Sequence, residues 1–204
     1  MLQNTTTIED QVIDDEALMR QELSEHRAAF EAMAAMLSAP FLETLQILER
    51  GLRRGGKLLL FGNGGSAADA QHIAAELMVR YQTNRASICA VALTTDSSVM
   101  TACGNDIGFD AIFERQVAGL GRLNDIAFGI STSGKSANVL RGLRQARAMG
   151  LQTVGLTGGM GGDMASTCDA LIAVPSVRTA RIQEMHITIG HMLCKALEQR
   201  LGLV

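Results

Sequence analysis

Five short apolar runs recur between residues 58 and 174 and alternate with longer amphipathic stretches. The runs are LLLF at 58–61, ICAVAL at 88–93, IAFGI at 126–130, TVGL at 153–156 and LIAV at 171–174. Runs of this length are typical of strands that are buried on both faces. Five such strands joined by helical crossovers predict an α/β fold with a doubly wound, five-stranded parallel sheet. Ligands of such sheets bind beyond the carboxyl ends of the strands, so the residues after each run are the first candidates for a site.

The segment before the first apolar run has a helical pattern. Over residues 8–37 the apolar side chains fall broadly on one side among charged ones. Pro40 suits the first turn of a second helix, which we expect to end before the glycine pair at 55–56. The pattern therefore predicts an N-terminal helical arm over residues 1–40 and one α/β domain over residues 41–204.

Composition narrows the class of protein. The 204 residues carry a formal net charge of -3, show no basic cluster and include one tyrosine, six phenylalanines and no tryptophan, which argues against a nucleic-acid partner. No run approaches the ~20 apolar residues of a membrane helix, and the polar, acidic N-terminus is unlike a secretory signal, so we expect a cytoplasmic protein. Cys89, Cys103, Cys168 and Cys194 are widely spaced, which favours buried structural thiols over disulfides or a cysteine zinc module.

A glycine-rich loop, GNGGSA at 62–67, follows the first apolar run and leads into a helical stretch. Small residues let the backbone approach an anion, helix-terminal N–H groups donate to it, and Asn63 and Ser66 add side-chain partners. The loop also fits the dinucleotide pattern G-x-G-x-x-G/A. No acid ends the second run to hold a ribose, Asp96 being the nearest, so we favour another anion over a nicotinamide dinucleotide.

A second candidate anion loop, STSGKS at 131–136, follows the third apolar run and again leads into a helix. Several hydroxyl groups beside free helix-terminal N–H groups suit a phosphate monoester. An ordinary serine N-cap is the alternative, but that role needs only one hydroxyl group. The loop therefore favours phosphate binding.

His72 and Glu76 are four residues apart on the helix that leaves the glycine loop, so they share one face. They could hold one metal ion or flank one substrate. A surface His/Glu pair is the alternative, and the position directly behind a phosphate-type loop favours a site.

The last helical stretch carries a second set of candidate polar residues. Gln183 and His191 are eight residues apart, about 12 Å and about 80° on an ideal helix, so one site using both needs bending or a second subunit. The apolar context of His191 also fits a packed core histidine. Glu184 and His186 are assigned to the helix surface or an interface, since no motif recruits them.

Several motifs together make the chain resemble a known family. They are NGGS at 63–66, GND at 104–106, STSGKSANV at 131–139, TGGMGG at 157–162 and ARIQEMH at 180–186. The chain resembles the SIS family, in particular its phosphoheptose isomerase branch, over about residues 45–200. The resemblance implies a flavodoxin-like SIS domain that binds a sugar phosphate.

The resemblance also implies roles for individual residues. By resemblance, the substrate contacts are Asn63, Gly64, Gly65, Ser66, Glu76, Asn105, Asp106, Ser131, Thr132, Ser133, Ser136 and Gln183. By resemblance, the ligands of one Zn²⁺ per site are His72, Glu76, Gln183 and His191. Glu76 and His191 are implied to carry the proton transfers. Ala180 stands where some relatives have an acid, so any role of that acid is absent or moved.

The implied activity is an aldose-ketose isomerisation through an enediol, from sedoheptulose 7-phosphate to D-glycero-D-manno-heptose 7-phosphate. This is the first step of nucleotide-heptose synthesis for the lipopolysaccharide core or a related glycan. We expect a homo-oligomer, a tetramer by resemblance, with no nucleic-acid or membrane partner.

Two alternatives remain open at this point. One is a non-catalytic SIS protein that bridges partners in replication initiation; by resemblance such proteins lack the acid matching Glu76 and the histidine matching His191. The other is an isomerase of a different sugar phosphate.

Overall fold

The structure is a computed structural model and describes residues 14–204. Its strands are β1 (Leu58–Gly62), β2 (Ala90–Ala92), β3 (Ile126–Ser131), β4 (Gln152–Gly158) and β5 (Ala170–Val174). Its α-helices are α1 (Asp15–Met36), α2 (Ser38–Arg53), α3 (Gly65–Met78), α4 (Ser97–Asp106), α5 (Ile112–Leu120), α6 (Ala137–Ala148) and α7 (Thr179–Arg200). Two short 3₁₀ helices span Phe109–Ala111 and Gly162–Ser166.

The five strands form one sheet in the order β2-β1-β3-β4-β5, and every neighbouring pair is parallel. Leu58 of β1 pairs with Ala90 on one side and with Ile126 on the other. The order therefore reverses between β1 and β3, which is where ligands of doubly wound sheets bind. This topology confirms the doubly wound α/β fold that the apolar runs predict.

The central strand β1 is buried on both faces, as its continuous apolar sequence requires. Leu58 and Leu60 pack into the core on the side of α2, α3 and α7. Leu59 and Phe61 pack into the core on the side of α5 and α6. Since side chains alternate along a strand, these four apolar residues contribute to the hydrophobic cores on both faces of the sheet.

The second strand is shorter than its apolar run predicts. Only Ala90–Ala92 of residues 88–93 pair with β1. β2 lies at the edge of the sheet, and its central residue, Val91, is partly exposed. Very short strands are one of the usual ways in which proteins limit an exposed sheet edge.

The N-terminal helices largely follow the predicted pattern. Asp14 caps α1 by accepting a hydrogen bond from the backbone N–H of Ala17, and residues 8–13 of the predicted helix lie outside the described residues. α2 begins at Ser38, so Pro40 lies in its first turn and the predicted boundary at residue 40 falls inside this helix. Gly55, with φ of 81°, follows the end of α2.

Three of the four thiols are partly or fully buried, and none forms a disulfide. Cys103 and Cys194 are buried, whereas Cys89 is exposed, so the expectation of buried thiols is wrong for Cys89 because it precedes the short edge strand. Over residues 14–204, none of the helices combines the length and the apolar composition needed to cross a bilayer.

Candidate active site

A cavity of about 260 Å³ lies at the carboxyl ends of β1 and β3, where the strand order reverses. We call it the loop pocket. Its lining consists of Asn63, Gly64, Gly65, Ser66, Ile130, Ser131, Thr132, Ser136, Thr179 and Gln183. The structure thus brings together most of the loop residues that the sequence assigns to the substrate.

Three helices begin at the loop pocket, namely α3, α6 and α7. Within the described part of the chain, none of the three receives a side-chain cap or carries an acid in its first turn. By contrast, α1 and α4 are capped by Asp14 and Asp96. The free N–H groups and positive dipole ends of the three helices therefore face one cavity, which suits a dianionic phosphate.

The glycine loop lets the backbone come close to this cavity. Gly64 has φ of 55°, a conformation that favours glycine. A Cβ on Gly65 would lie 2.3 Å from the Gln183 amide nitrogen, so the end of the Gln183 side chain packs directly over this glycine and a larger residue would displace it. Gln183 is thereby placed in the wall of the loop pocket.

Hydrogen bonds between side chains fix the two anion loops relative to each other. Asn63 and Asn138 exchange two amide hydrogen bonds of 2.8 Å. Within the second loop, the hydroxyl oxygens of Ser131 and Ser136 lie 2.9 Å apart, which closes that loop on itself. Asn138 is buried and was missed by the sequence reasoning, although it lies inside the STSGKSANV motif that drew attention to the loop.

Ser133 faces a different cavity from its neighbours. It lines another cavity of about 420 Å³ together with Lys135, Met160 and Thr132, and Thr132 lines both cavities. Its hydroxyl oxygen accepts a hydrogen bond from the backbone N–H of Lys135 at 3.2 Å. Ser133 therefore does not line the loop pocket, whereas Ser131, Thr132 and Ser136 of the same loop do.

His72, Glu76 and His191 meet further along α3 and α7, and we call them the His–Glu cluster. Their ligating atoms all lie within 4.8 Å of one another. The Nε2 atoms of His72 and His191 are 2.9 Å apart, and Glu76 Oε1 is 3.4 Å from His72 Nε2. The cluster combines two imidazoles with a carboxylate, a donor set that can hold a metal ion or exchange protons.

The donor set fits zinc. Two imidazole nitrogens on one tetrahedral ion are separated by roughly 3.3 Å when each bond is 2.0–2.1 Å. The observed 2.9 Å between the two Nε2 atoms is close to that separation. The two nitrogens would therefore have to move apart by about 0.4 Å to share one tetrahedral ion.

Gln183 lies away from the His–Glu cluster. It faces Gly65 at the start of α3, whereas His191 faces His72 two turns further along. The single chain therefore brings three of the four implied zinc ligands together and places Gln183 at the loop pocket. This separation agrees with the eight-residue spacing on one helix.

Asn105 and Asp106 lie at the end of α4 and do not line the loop pocket. The amide of Asn105 donates to Asp106 Oδ1 at 2.7 Å. Asp106 borders a separate, mainly apolar cavity of about 610 Å³ beside β2, together with Val99 and Arg115. The described chain alone therefore does not bring these two residues to the phosphate loops.

Asp69 lies on α3, one turn before His72, and sequence reasoning gave no signal for it. Burial raises the pKa of Asp69 to about 6. Its Oδ2 atom is buried without a hydrogen-bond partner among residues 14–204. This carboxyl group therefore keeps its proton to a higher pH than an exposed aspartate does.

His186 was assigned to the helix surface or an interface, and this assignment is wrong. The side chain is fully buried, and its Nε2–H donates to the carbonyl oxygen of Thr157 at 3.0 Å. Burial lowers the pKa of His186 to about 4. Glu184 is partly exposed and does contact another element, since it bonds His26 of α1 at 2.8 Å.

Comparison with known proteins agrees with this geometry. The sequence profile of the SIS domain matches residues 23–158. The phosphoheptose isomerase of Paramagnetospirillum magneticum is 52% identical over 178 residues, which cover 87% of this chain and 93% of that protein. The chain belongs to the phosphoheptose isomerase family.

Solved structures of phosphoheptose isomerases share the fold of the chain. That from Neisseria gonorrhoeae is 41% identical with a TM-score of 0.85, and the match covers 90% of this chain and 98% of the other. That from Francisella tularensis is 34% identical with a TM-score of 0.88, and the match covers 92% and 100%. The likeness to solved phosphoheptose isomerases therefore covers about nine tenths of the chain.

The buried histidine predicts a specific pH dependence of stability. The pKa of His186 is lower in the folded protein, about 4, than its ordinary value of 6.5. The unfolded chain then binds the proton more strongly, so the free energy of unfolding falls as pH falls through this window. We expect His186→Gln to have a shallower slope between those two pH values, measured by urea unfolding at one protein concentration. Equal slopes in the two proteins would contradict burial of a neutral imidazole.

Proposed function

We propose that this protein isomerises sedoheptulose 7-phosphate to D-glycero-D-manno-heptose 7-phosphate through an enediol. The observation that carries the proposal is the meeting of Glu76 and His191 beside a pocket at which three uncapped helices begin. Similarity to the phosphoheptose isomerases supports the choice of substrate. The product is a precursor for nucleotide-activated heptose, so we place the enzyme in the cytoplasm.

The loop pocket would bind the phosphate group. Helix-terminal N–H groups supply donors, and the hydroxyl groups of Ser131, Thr132 and Ser136 supply more. A phosphate fixed at one end positions the sugar chain, so that the reacting carbons are held close to their catalytic groups in a defined orientation. Gln183, in the wall of the pocket, would contact the chain between the phosphate and those carbons.

Glu76 and His191 would carry the proton transfers. The Glu76 carboxylate takes the proton from C1 while a ring N–H of His191 gives its proton to the C2 oxygen, which yields the enediol. His191 then takes the proton of the C1 hydroxyl while Glu76 returns its proton to C2, which yields the aldose. Each group ends the cycle in the state in which it began.

We propose that His72, Glu76 and His191 hold Zn²⁺. Gln183 lies at the loop pocket of its own chain, so the fourth ligand implied by the resemblance would have to be supplied by a neighbouring copy. When bound, the ion would polarise the carbonyl group and stabilise negative charge on the enediolate oxygens. Glu76 faces His72 through Oε1, so its second carboxylate oxygen is the one available for proton transfer. The two roles of Glu76 can in this way be divided between its two oxygens.

The proposed function is tested by turnover of sedoheptulose 7-phosphate, followed as formation of the aldose. Glu76→Gln keeps the size of the side chain but removes the base, so kcat should fall by about 10²–10⁴-fold with the fold intact. Glu43→Gln, an exposed change on α2, is the matched control and should leave kcat unchanged. Near-normal turnover by Glu76→Gln would reject the base assignment, and an inactive wild-type protein would redirect the search to other sugar phosphates.

The zinc proposal has a separate test. Purified protein should contain zinc in amounts that fall in His72→Ala, since that change removes one donor from the cluster. Chelation should abolish turnover, and added zinc should restore it. Metal analysis gives a readout that does not depend on activity. Full turnover by protein shown to be free of metal would contradict the proposed role.

We propose a homotetramer in which a neighbouring copy completes the site. Helix α1 exposes several large apolar side chains, including Leu23 and Phe30, which are 60% and 46% exposed. Contact with another copy would remove this apolar surface from water. Asn105 and Asp106 lie away from the loop pocket of their own chain, so they would reach the substrate from another copy.

Light scattering tests this assembly. Leu23→Glu combined with Phe30→Glu places charges on the proposed interface and should lower the measured mass from a tetramer to a smaller species. The control is Leu123→Glu, which adds a charge at a residue that is 76% exposed and lies before β3. A wild-type monomer at assay concentration would rule the tetramer out.

A further inference from the structure

The ring of Tyr81 packs against the imidazole of His191. The two ring centroids are 5.4 Å apart, and the ring planes are inclined by 30°. Tyr81 lies in the segment that connects α3 to β2, outside both phosphate loops. His191 also contacts His72, with ring centroids 5.1 Å apart, so the imidazole has two rings as neighbours.

The backbone of this connecting segment is anchored by Arg85. Its guanidinium donates to the carbonyl oxygens of Leu77 at 2.7 Å and Glu76 at 2.8 Å. These carbonyls belong to the last turn of α3, where no further helical N–H can satisfy them. Arg85 thus holds the end of the helix that carries the Glu76 side chain.

Glu198 of α7 completes the anchor. One carboxylate oxygen, Oε1, accepts hydrogen bonds from Arg85 Nε at 2.8 Å and from the backbone N–H of Tyr81 at 3.1 Å. The Arg85 and Glu198 side chains are only 1% and 3% exposed. One carboxylate on α7 therefore fixes both the arginine and the tyrosine of the segment.

A buried ion pair of this kind needs a reason other than stability. Removing two charges from water is costly, and apolar residues of similar volume often stabilise a protein equally well or better. Here the pair does something that apolar residues cannot do, because it bonds the Tyr81 backbone and the carbonyl of Glu76 in fixed directions. The two residues that it anchors, Tyr81 and Glu76, are those whose side chains lie beside His191.

We propose that Tyr81 is a positioning residue of the isomerase reaction, held in place by the Arg85–Glu198 pair, and that its ring keeps the His191 imidazole in the orientation that exchanges protons with the substrate. The inference rests on the proposed function. Tyr81 itself makes no bond to the reacting carbons in this account, and it acts through His191.

Kinetics of Tyr81 variants with saturating zinc test the role of the ring. Tyr81→Leu removes the ring but keeps an apolar side chain, so kcat should fall by about 10²-fold while KM changes little. Tyr81→Phe keeps the ring and should retain most of the wild-type kcat. An unchanged kcat in Tyr81→Leu, or an equal loss in Tyr81→Phe, would overturn the positioning role of the ring.

Fluorescence tests the anchor independently of turnover. The chain contains one tyrosine and no tryptophan, so ultraviolet-excited emission reports on Tyr81. His191→Ala removes the stacked imidazole and provides the reference for a lost contact. Glu198→Gln leaves Arg85 unpaired. Its emission intensity should therefore move from the wild-type value towards that of His191→Ala, and its kcat should fall. If Glu198→Gln does not fold, Arg85→Met with Glu198→Met removes both charges without leaving one unpaired and should show the same two changes.

Lys57→Met is the matched control for general loss of stability. It breaks the ion pair of Lys57 with Asp125 at the amino-terminal ends of β1 and β3, away from the site. Its emission and kcat should match the wild type. Wild-type emission in the Glu198 variants, or equal changes in Lys57→Met, would overturn the proposal. Failure of the proposed function would appear instead as a wild-type protein that does not turn over the sugar phosphate while its emission still responds to His191→Ala.

Discussion

Helices α3 and α7 run parallel in direct contact, with Gly190 of α7 packed against Ile73 of α3: a Cβ on Gly190 would come within 2.7 Å of Ile73 Cδ1, so a side chain there would force Ile73 or the helix to move. At the start of α3, the Gln183 side chain of α7 packs over Gly65. The loop pocket lies at one end of this line of contact and the His–Glu cluster lies further along it. Both halves of the site therefore depend on how closely these two helices pack, and a small change in their separation would alter both.

The sheet supports this helix pair and orients the positive ends of the helix dipoles towards the loop pocket. Parallel strands place the starts of α3, α6 and α7 at one edge of the sheet, so three helix dipoles point at the same cavity. None of the residues that line the loop pocket is basic. An anion bound there is held by fixed dipoles and hydroxyl groups more than by mobile cationic side chains, which favours a defined orientation over simple attraction.

The sequence predicted the fold well because strands buried on both faces leave continuous apolar runs. It predicted the loop pocket because residues near each other in the chain build each loop. The prediction that His186 lies at the surface or an interface was wrong. Its hydrogen-bond partner, the Thr157 carbonyl, belongs to β4, and the sequence pattern of α7 contains no information about that contact. Contacts such as that between Arg85 and Glu198, 113 residues apart, arise only from packing and could not be read from spacing.

With the phosphate in the loop pocket, as proposed above, the distance from that pocket to the His–Glu cluster would select the substrate by its length. Gly65 and His72 are seven residues apart on α3, a rise of about 10 Å. An extended carbon chain advances about 1.3 Å per carbon, so seven carbons with a terminal phosphate bridge that interval. A pentose phosphate anchored at the same pocket would fall roughly 2.5 Å short of the catalytic groups, even though it carries the same functional groups at each end. Discrimination between sugars would then come from rigid helix geometry instead of from contacts to individual hydroxyl groups.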